Sequence, residues 1–229
     1  MKLAIMQPYM FSYIGYFQLI NVVDTFVLFD DVNFISKGWI NRNNILLNGT
    51  RHLITLELRS PSIFKHINQI EVGKNSHKIL STIYHAYAKA PHFKKVFPFI
   101  EDCLLQEEQN LAAFVAYCIK AVAKYLNLET SFVLSSDLRK NNSQKGQDKV
   151  ISICHLLSAS HYINPIGGIE LYSGDTFEKE NIKLSFLRSR NIVYKQFNNE
   201  FVPNLSIIDI LMFCPAEAIQ AFLKEYDLE

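Results

Sequence analysis

The stretch MQPYMFSYIGYFQLINVVDTFVLFDDVNF, Met6 to Phe34, decides how the chain folds. Upstream of it MKLAIMQ is an apolar run halted at Gln7-Pro8, which suits a buried strand ended by a proline. IGYFQLINVV then repeats its apolar residues with helical periodicity, and Phe26 to Phe29 form an unbroken apolar run of the kind found in strands covered on both faces. Strand, helix and second buried strand within about thirty residues make a βαβ unit, for which a parallel sheet with a right-handed crossover is expected. The predicted class is α/β, a Rossmann-like parallel sheet flanked by helices.

Working outward, WINRNNILLNGTRHLITLEL reads as two strands joined at Asn48-Gly49, a dipeptide suited to tight hairpins because both residues tolerate positive φ. Residues from about 76 to 126 turn helical, with HKILSTIYHAYAKA and NLAAFVAYCIKAVAKYL separated by Pro91 and Pro98. SFVL is a further strand, and SSDLRKNNSQKGQDK a polar, lysine-rich loop expected to move. A helix (DKVISICHLLSAS) and strands at HYINPI, IKLSFL and IVYKQF follow, before helical segments interrupted by Pro215. No internal repeat breaks the chain, so residues 1–229 are read as one α/β domain carrying an inserted hairpin and a helical segment.

Composition narrows the function classes. With 229 residues and 49% hydrophobic content, there is ample material for a core. A net charge of +1, from 23 basic and 22 acidic residues, supplies no field to gather nucleic acid or anionic lipid. No apolar run reaches the roughly 20 residues a membrane span needs, and a cytoplasmic protein is expected. The four cysteines lack metal or disulfide spacing and read as core fillers. The histidines show no pairing that would build a metal site.

In α/β sheets ligands bind beyond the carboxyl ends of the strands, so chemistry is sought in the loops near residues 7–15, 30–44, 135–148 and 164–175. Gln7, Tyr9 and Tyr16 stand after the first strand and at the start of the first helix, where backbone N–H groups favour a phosphate or carboxylate. Asp30 and Asp31 end a buried strand; strand alternation lets one of them face the cleft, as base, hydroxyl anchor or magnesium ligand. KGWINRN gathers Lys37, the chain's one tryptophan Trp39, Asn41, Arg42 and Asn43, a combination able to stack on a ring and grip an anion. Ser135 and Ser136 follow a strand, with Lys140 and Lys145 beyond them in position to wrap phosphates. Tyr172 flanks Gly167-Gly168, which permit a close backbone approach or simply a turn. Asp209 and Gln196, polar in apolar surroundings, require partners, and Asp209 is expected to be structural.

Taken in order, QPYMFSYIGYFQLI, DTFVLFDDVNF, GWINRN and FVPNLSIIDIL make the chain resemble the WbqC-like family of bacterial proteins over nearly its whole length. One departure is Met6, where many members have a histidine. The resemblance implies a role in O-antigen or other surface polysaccharide biosynthesis, as a transferase moving an acyl or amino-acyl group such as glycine onto a nucleotide-linked amino sugar. In that picture Gln7, Tyr16 and Arg42 hold phosphate or carboxylate, Trp39 stacks on a ring, and Asp30 or Asp31 takes the proton of the attacking amine. A free amino acid as donor would add ATP and magnesium, making the protein an ATP-dependent amide ligase. The rival implication is a binding protein of the same pathway without turnover. The layout also looks like that of nucleotidyl-transferring enzymes and pantothenate synthetase, with Gly15-Tyr16 replacing a Gly-His.

Overall fold

A computed structural model of the chain describes every residue except Asn142 and Asn199. Strand β1 (Lys2–Met6) alternates strictly, sending Ala4 into one core and Leu3 and Ile5 into the other. Helix α1 (Ile14–Val22) follows, then β2 (Thr25–Leu28), which divides Phe26 and Leu28 from Val27 in the same way. Both strands are therefore covered on both faces, as their continuous apolar runs predict. Within α1 the one buried polar side chain, Gln18, donates to the carbonyls of Phe222 at 2.7 Å and Glu225 at 2.9 Å, tying the helix to the chain's last turn.

A long excursion separates β2 from its next sheet neighbour. β3 (Arg42–Leu47) and β4 (Thr50–Thr55) form the expected hairpin, whose turn residues Asn48 and Gly49 have φ of 51° and 76°, both in the left-handed region a primed turn demands. A small pair, β5 (Leu58–Arg59) with β6 (Glu71–Val72), leads into α2 (Ser76–Tyr87), α3 (Phe93–Leu104) and α4 (Leu111–Tyr125). All three helices pack into the same core as α1. Pro98 does not separate helices as expected but lies inside α3. It faces solvent together with Lys94, whose carbonyl it leaves without an N–H partner, so water can take that bond.

The chain returns as β7 (Ser131–Leu134), α5 (Gly146–Leu156), β8 (His161–Pro165), α6 (Gly174–Lys179) and β9 (Lys183–Ser189), then closes with α7 (Ile207–Phe213), α8 (Ala216–Phe222) and β10 (Tyr226–Leu228). The six-stranded sheet runs β10-β9-β8-β1-β2-β7, parallel throughout except for β10. Helices α5 and α6 cover the face opposite α1, giving three layers. The expected strand at IVYKQF is absent: the edge of β9 is taken by β10, and the Gln196 side chain turns inward to Asp209 while Phe197 adopts a φ of 42°. Strand order reverses between β1 and β8, so the loops after the parallel strands gather on one rim. No helix among the described residues is long and apolar enough to cross a membrane.

Candidate functional site

Two clefts occupy the carboxyl-end rim. The first begins where β2 stops and Phe29 donates its N–H to the Met6 carbonyl at 2.8 Å. Asp30 comes next and is buried. Its Oδ1 accepts the Ser136 N–H at 2.9 Å, and its Oδ2 accepts the Ser136 hydroxyl at 2.6 Å and the Asn68 amide at 3.2 Å. This carboxylate braces the ends of β2 and β7 against the segment before β6. Asp31, in the bend that follows, lines a cavity of about 570 Å³.

Asp31 Oδ2 takes the ammonium groups of Lys140 at 2.8 Å and Lys149 at 3.2 Å, with the lysine side chains only 1% and 8% exposed. Lys149 also lies 4.9 Å from the Phe29 ring centre, and Lys140 donates to the Ser135 carbonyl. Burial alone would raise the Asp31 carboxyl; the Lys140 hydrogen bond and the charge of Lys149 outweigh it and hold the group below its ordinary value. Lys140 is thus an interior residue rather than part of a moving phosphate cover. Asn142, in the same expected loop, lies outside the described residues. The partner of Lys149 in lining the cavity is Lys145, which precedes α5 without offering its helix a side-chain cap. The first N–H groups of α5 and the lysines therefore face the same space. Among the lining residues Lys145 and Lys149 stand against Asp31 alone, which leaves the cavity biased toward an anion.

His66, Asn68, Gln69, Gln144 and Lys149 also line this cavity and were not legible as site residues. The Gln144 Oε1 and Asp31 Oδ1 atoms are buried without a hydrogen-bond partner among the described residues. Sequence distance explains the omission: Lys149 reaches Asp31 across 118 positions.

The second cleft, about 350 Å³, is walled by Tyr9, Tyr13, Trp39 and Asn204. Several residues expected to bind ligand here instead build the wall. Tyr16 is buried, packs tilted or edge-on among Tyr9, Phe17 and Phe26, and donates its hydroxyl to the Gln7 carbonyl at 3.0 Å; burial and the neighbouring Tyr9 push its phenol well up. Asn41 spends its amide on the Leu56 carbonyl at 2.7 Å, and Asn43 on those of Met10 and Phe11 at 3.1 and 2.8 Å. Arg42 donates to the Gly38 carbonyl at 2.8 Å and stands 5.9 Å from the Trp39 ring centre. Lys37 is exposed with φ 61° in the turn before it. Gly15 is needed by Tyr13: a Cβ there would meet the Tyr13 hydroxyl at 2.7 Å, so the ring, rather than a phosphate, occupies the helix start.

At the far side of the rim Tyr172 shares a 3.3 Å hydrogen bond with Tyr162, and Gly168 gives room to the Asn164 amide. Ser135 is buried behind Ser136. Among the described residues no three His, Cys, Asp or Glu side chains gather as a metal site. All four cysteines are buried and free, with burial raising the Cys154 and Cys214 thiols to about 12.

Comparison with known proteins places these clefts in a family. The model of the WbqC-like protein family matches residues 7–221. The chain belongs to that family. It is also 25% identical over 225 residues to the uncharacterized protein Rv1507c of Mycobacterium tuberculosis (strain ATCC 25618 / H37Rv), covering 95% of each chain. No solved structure matches it. The matched region takes in both clefts, from Gln7 through Asn204.

Proposed function

We propose that this WbqC-like protein is an enzyme of surface polysaccharide assembly that joins an acyl or amino-acyl group, such as glycyl, to an amino sugar carried on a nucleoside diphosphate. The observation that carries the reading is the pair of buried lysines sharing one carboxylate beside a cavity of about 570 Å³, at the uncapped start of α5. A diphosphate is the ligand such a charge arrangement favours, and the volume falls within the ~300–1,000 Å³ of ordinary ligand sites. Asp31 in this reading fixes the lysines and, being held ionised, is a weak proton acceptor; Asp30 is saturated by its three donors. The amine nitrogen attacks the acyl carbonyl carbon, an amide bond forms, the acyl leaving group departs, and the amine proton passes to His66 on the cavity rim. If the donor is a free amino acid, ATP and magnesium supply the activation.

The engagement of both aspartates is also what a protein that binds the sugar nucleotide without turnover would show. Titration calorimetry with nucleotide-linked amino sugars tests the shared premise: Lys149→Ala is expected to weaken binding at least about tenfold, by analogy with other buried charge-assisted contacts, and unchanged affinity would sink both readings. Mass spectrometry of product then separates them, since an amide-bearing sugar nucleotide forms only with the enzyme.

A further inference from the structure

We infer that the second cleft, between Tyr9, Tyr13 and Trp39, is a separate binding site for a neutral pyranose ring. It shares no lining residue with the lysine cavity, so the inference stands whether or not that cavity takes a diphosphate. The lining, completed by Ser12, Asn43 and Asn204, contains no Lys, Arg, Asp or Glu. A phosphate or carboxylate would find no countercharge in that lining, since Arg42, beside Trp39, is engaged by the Gly38 carbonyl, and an uncharged ligand is the one the lining does not penalise.

Shape and chemistry narrow the class further. Trp39 and Tyr13, 46% and 39% exposed, are large aromatic side chains left open at a cleft wall where burial would otherwise be favoured. Arg42 stands on the Trp39 ring, leaving that indole the other face for a ligand. Aromatic faces carry partial negative charge and attract the C–H groups that line a face of a pyranose. Around them the Tyr9 and Tyr13 hydroxyls and the Asn204 amide offer donors and acceptors of the kind that pair with equatorial hydroxyls. The Asn204 side chain makes no hydrogen bond to the other described residues.

The loop that presents these groups is held rigid before any ligand arrives. Phe11 is buried with φ 42°, a left-handed conformation that a non-glycine residue adopts only when its surroundings hold it there. Its carbonyl accepts the Asn43 amide at 2.8 Å and the Ser206 hydroxyl at 2.6 Å, and the Met10 N–H donates to the Ile40 carbonyl at 3.1 Å. Gly15 then lets Tyr13 lie across the start of α1 instead of swinging free. Ordering of the aromatic wall is thereby completed during folding, and less entropy is lost on binding. Next to this cleft, sharing Tyr13 and Asn204, lies a second chamber of about 310 Å³ that reaches Arg190 and Tyr194, giving room for a second residue of an oligosaccharide.

Because Trp39 is the chain's one tryptophan, its fluorescence reports on this cleft alone. The test titrates the full-length protein with methyl glycosides of hexoses and N-acetylhexosamines, with adenosine as the flat-ring control. A saturable emission change with at least one glycoside is expected, retained in Lys149→Ala and weakened roughly threefold to tenfold in Tyr13→Ala and Tyr9→Leu, the loss of one aromatic contact. Melting curves establish that each variant is folded, and having two variants guards against one failing. No saturable change with any glycoside would overturn the inference. So would a change undiminished in both folded variants, or adenosine displacing the glycosides. A glycoside response that survives in Lys149→Ala while calorimetry finds no sugar-nucleotide binding would separate this site's success from the failure of the diphosphate reading.

Discussion

The two clefts lie on one rim of one sheet and are built from opposite materials. In the lysine cavity the charged groups are themselves the wall, so recognition and stability reside in the same ion pairs. In the aromatic cleft the polar side chains are spent behind the wall, on backbone carbonyls, and the exposed rings hold nothing up. A charged residue therefore costs stability when removed from the first cleft, whereas an exposed ring such as Trp39 costs almost none when removed from the second. The comparison teaches that participation in a site and support of the fold are separate properties.

The largest effect is expected beside the neighbouring chamber of about 310 Å³, whose wall includes Tyr194. Asp209 is buried and accepts from Tyr87 at 2.7 Å, Tyr194 at 2.6 Å and Gln196 at 2.6 Å. Asp209→Ala strands three donors, two of them buried, and should cost about 4 kcal/mol in denaturant unfolding. A loss below about 1 kcal/mol would mean that water replaces the carboxylate there.

Asp31→Ala comes next, at about 3 kcal/mol, because it leaves two nearly buried ammonium groups facing one another. Its pH dependence has a definite sign. The folded carboxyl lies below its unfolded value, so its stabilisation is present above the unfolded pKa and is lost as pH falls through the folded one. The wild type should hence lose this contribution only in strong acid, below the ordinary carboxylate value of 3.8, while the Asp31→Ala melting temperature should be flatter over that acid range. Parallel acid limbs in the two proteins would count against the lysine pairing.

Asn43→Ala removes the amide that restrains Met10 and Phe11 and should cost about 2 kcal/mol, blurring the distinction between the clefts only by loosening the aromatic wall. Trp39→Ala is the smallest, within about 0.5 kcal/mol of wild type in stability because the ring is half exposed. A large melting shift for Trp39→Ala would break the contrast by showing that this ring supports the fold.

What was legible in the sequence divides along contact distance. The opening strand, helix and strand, the Asn48-Gly49 hairpin and the interruption at Pro215 depend on neighbours within a few residues and appear where expected. Pro98 and the Ile192 to Phe197 segment do not, because solvent exposure in one case and a distant carboxylate in the other overrule local pattern. Asp30 and Asp31 were legible as a strand end with one carboxylate facing the cleft. Their unequal duties were not, since Ser136, Lys140 and Lys149 arrive from more than a hundred positions away.

By itself, then, the sequence determined the α/β class, the parallel core and the family, since these rest on periodicity and on ordered blocks such as GWINRN. Tertiary structure alone decided which polar side chains face a ligand and which are consumed in holding the loops. Asn41, Asn43 and Tyr16 have the same chemistry as binding residues. Only the position of a carbonyl 2.7 to 3.1 Å away assigns them to the scaffold.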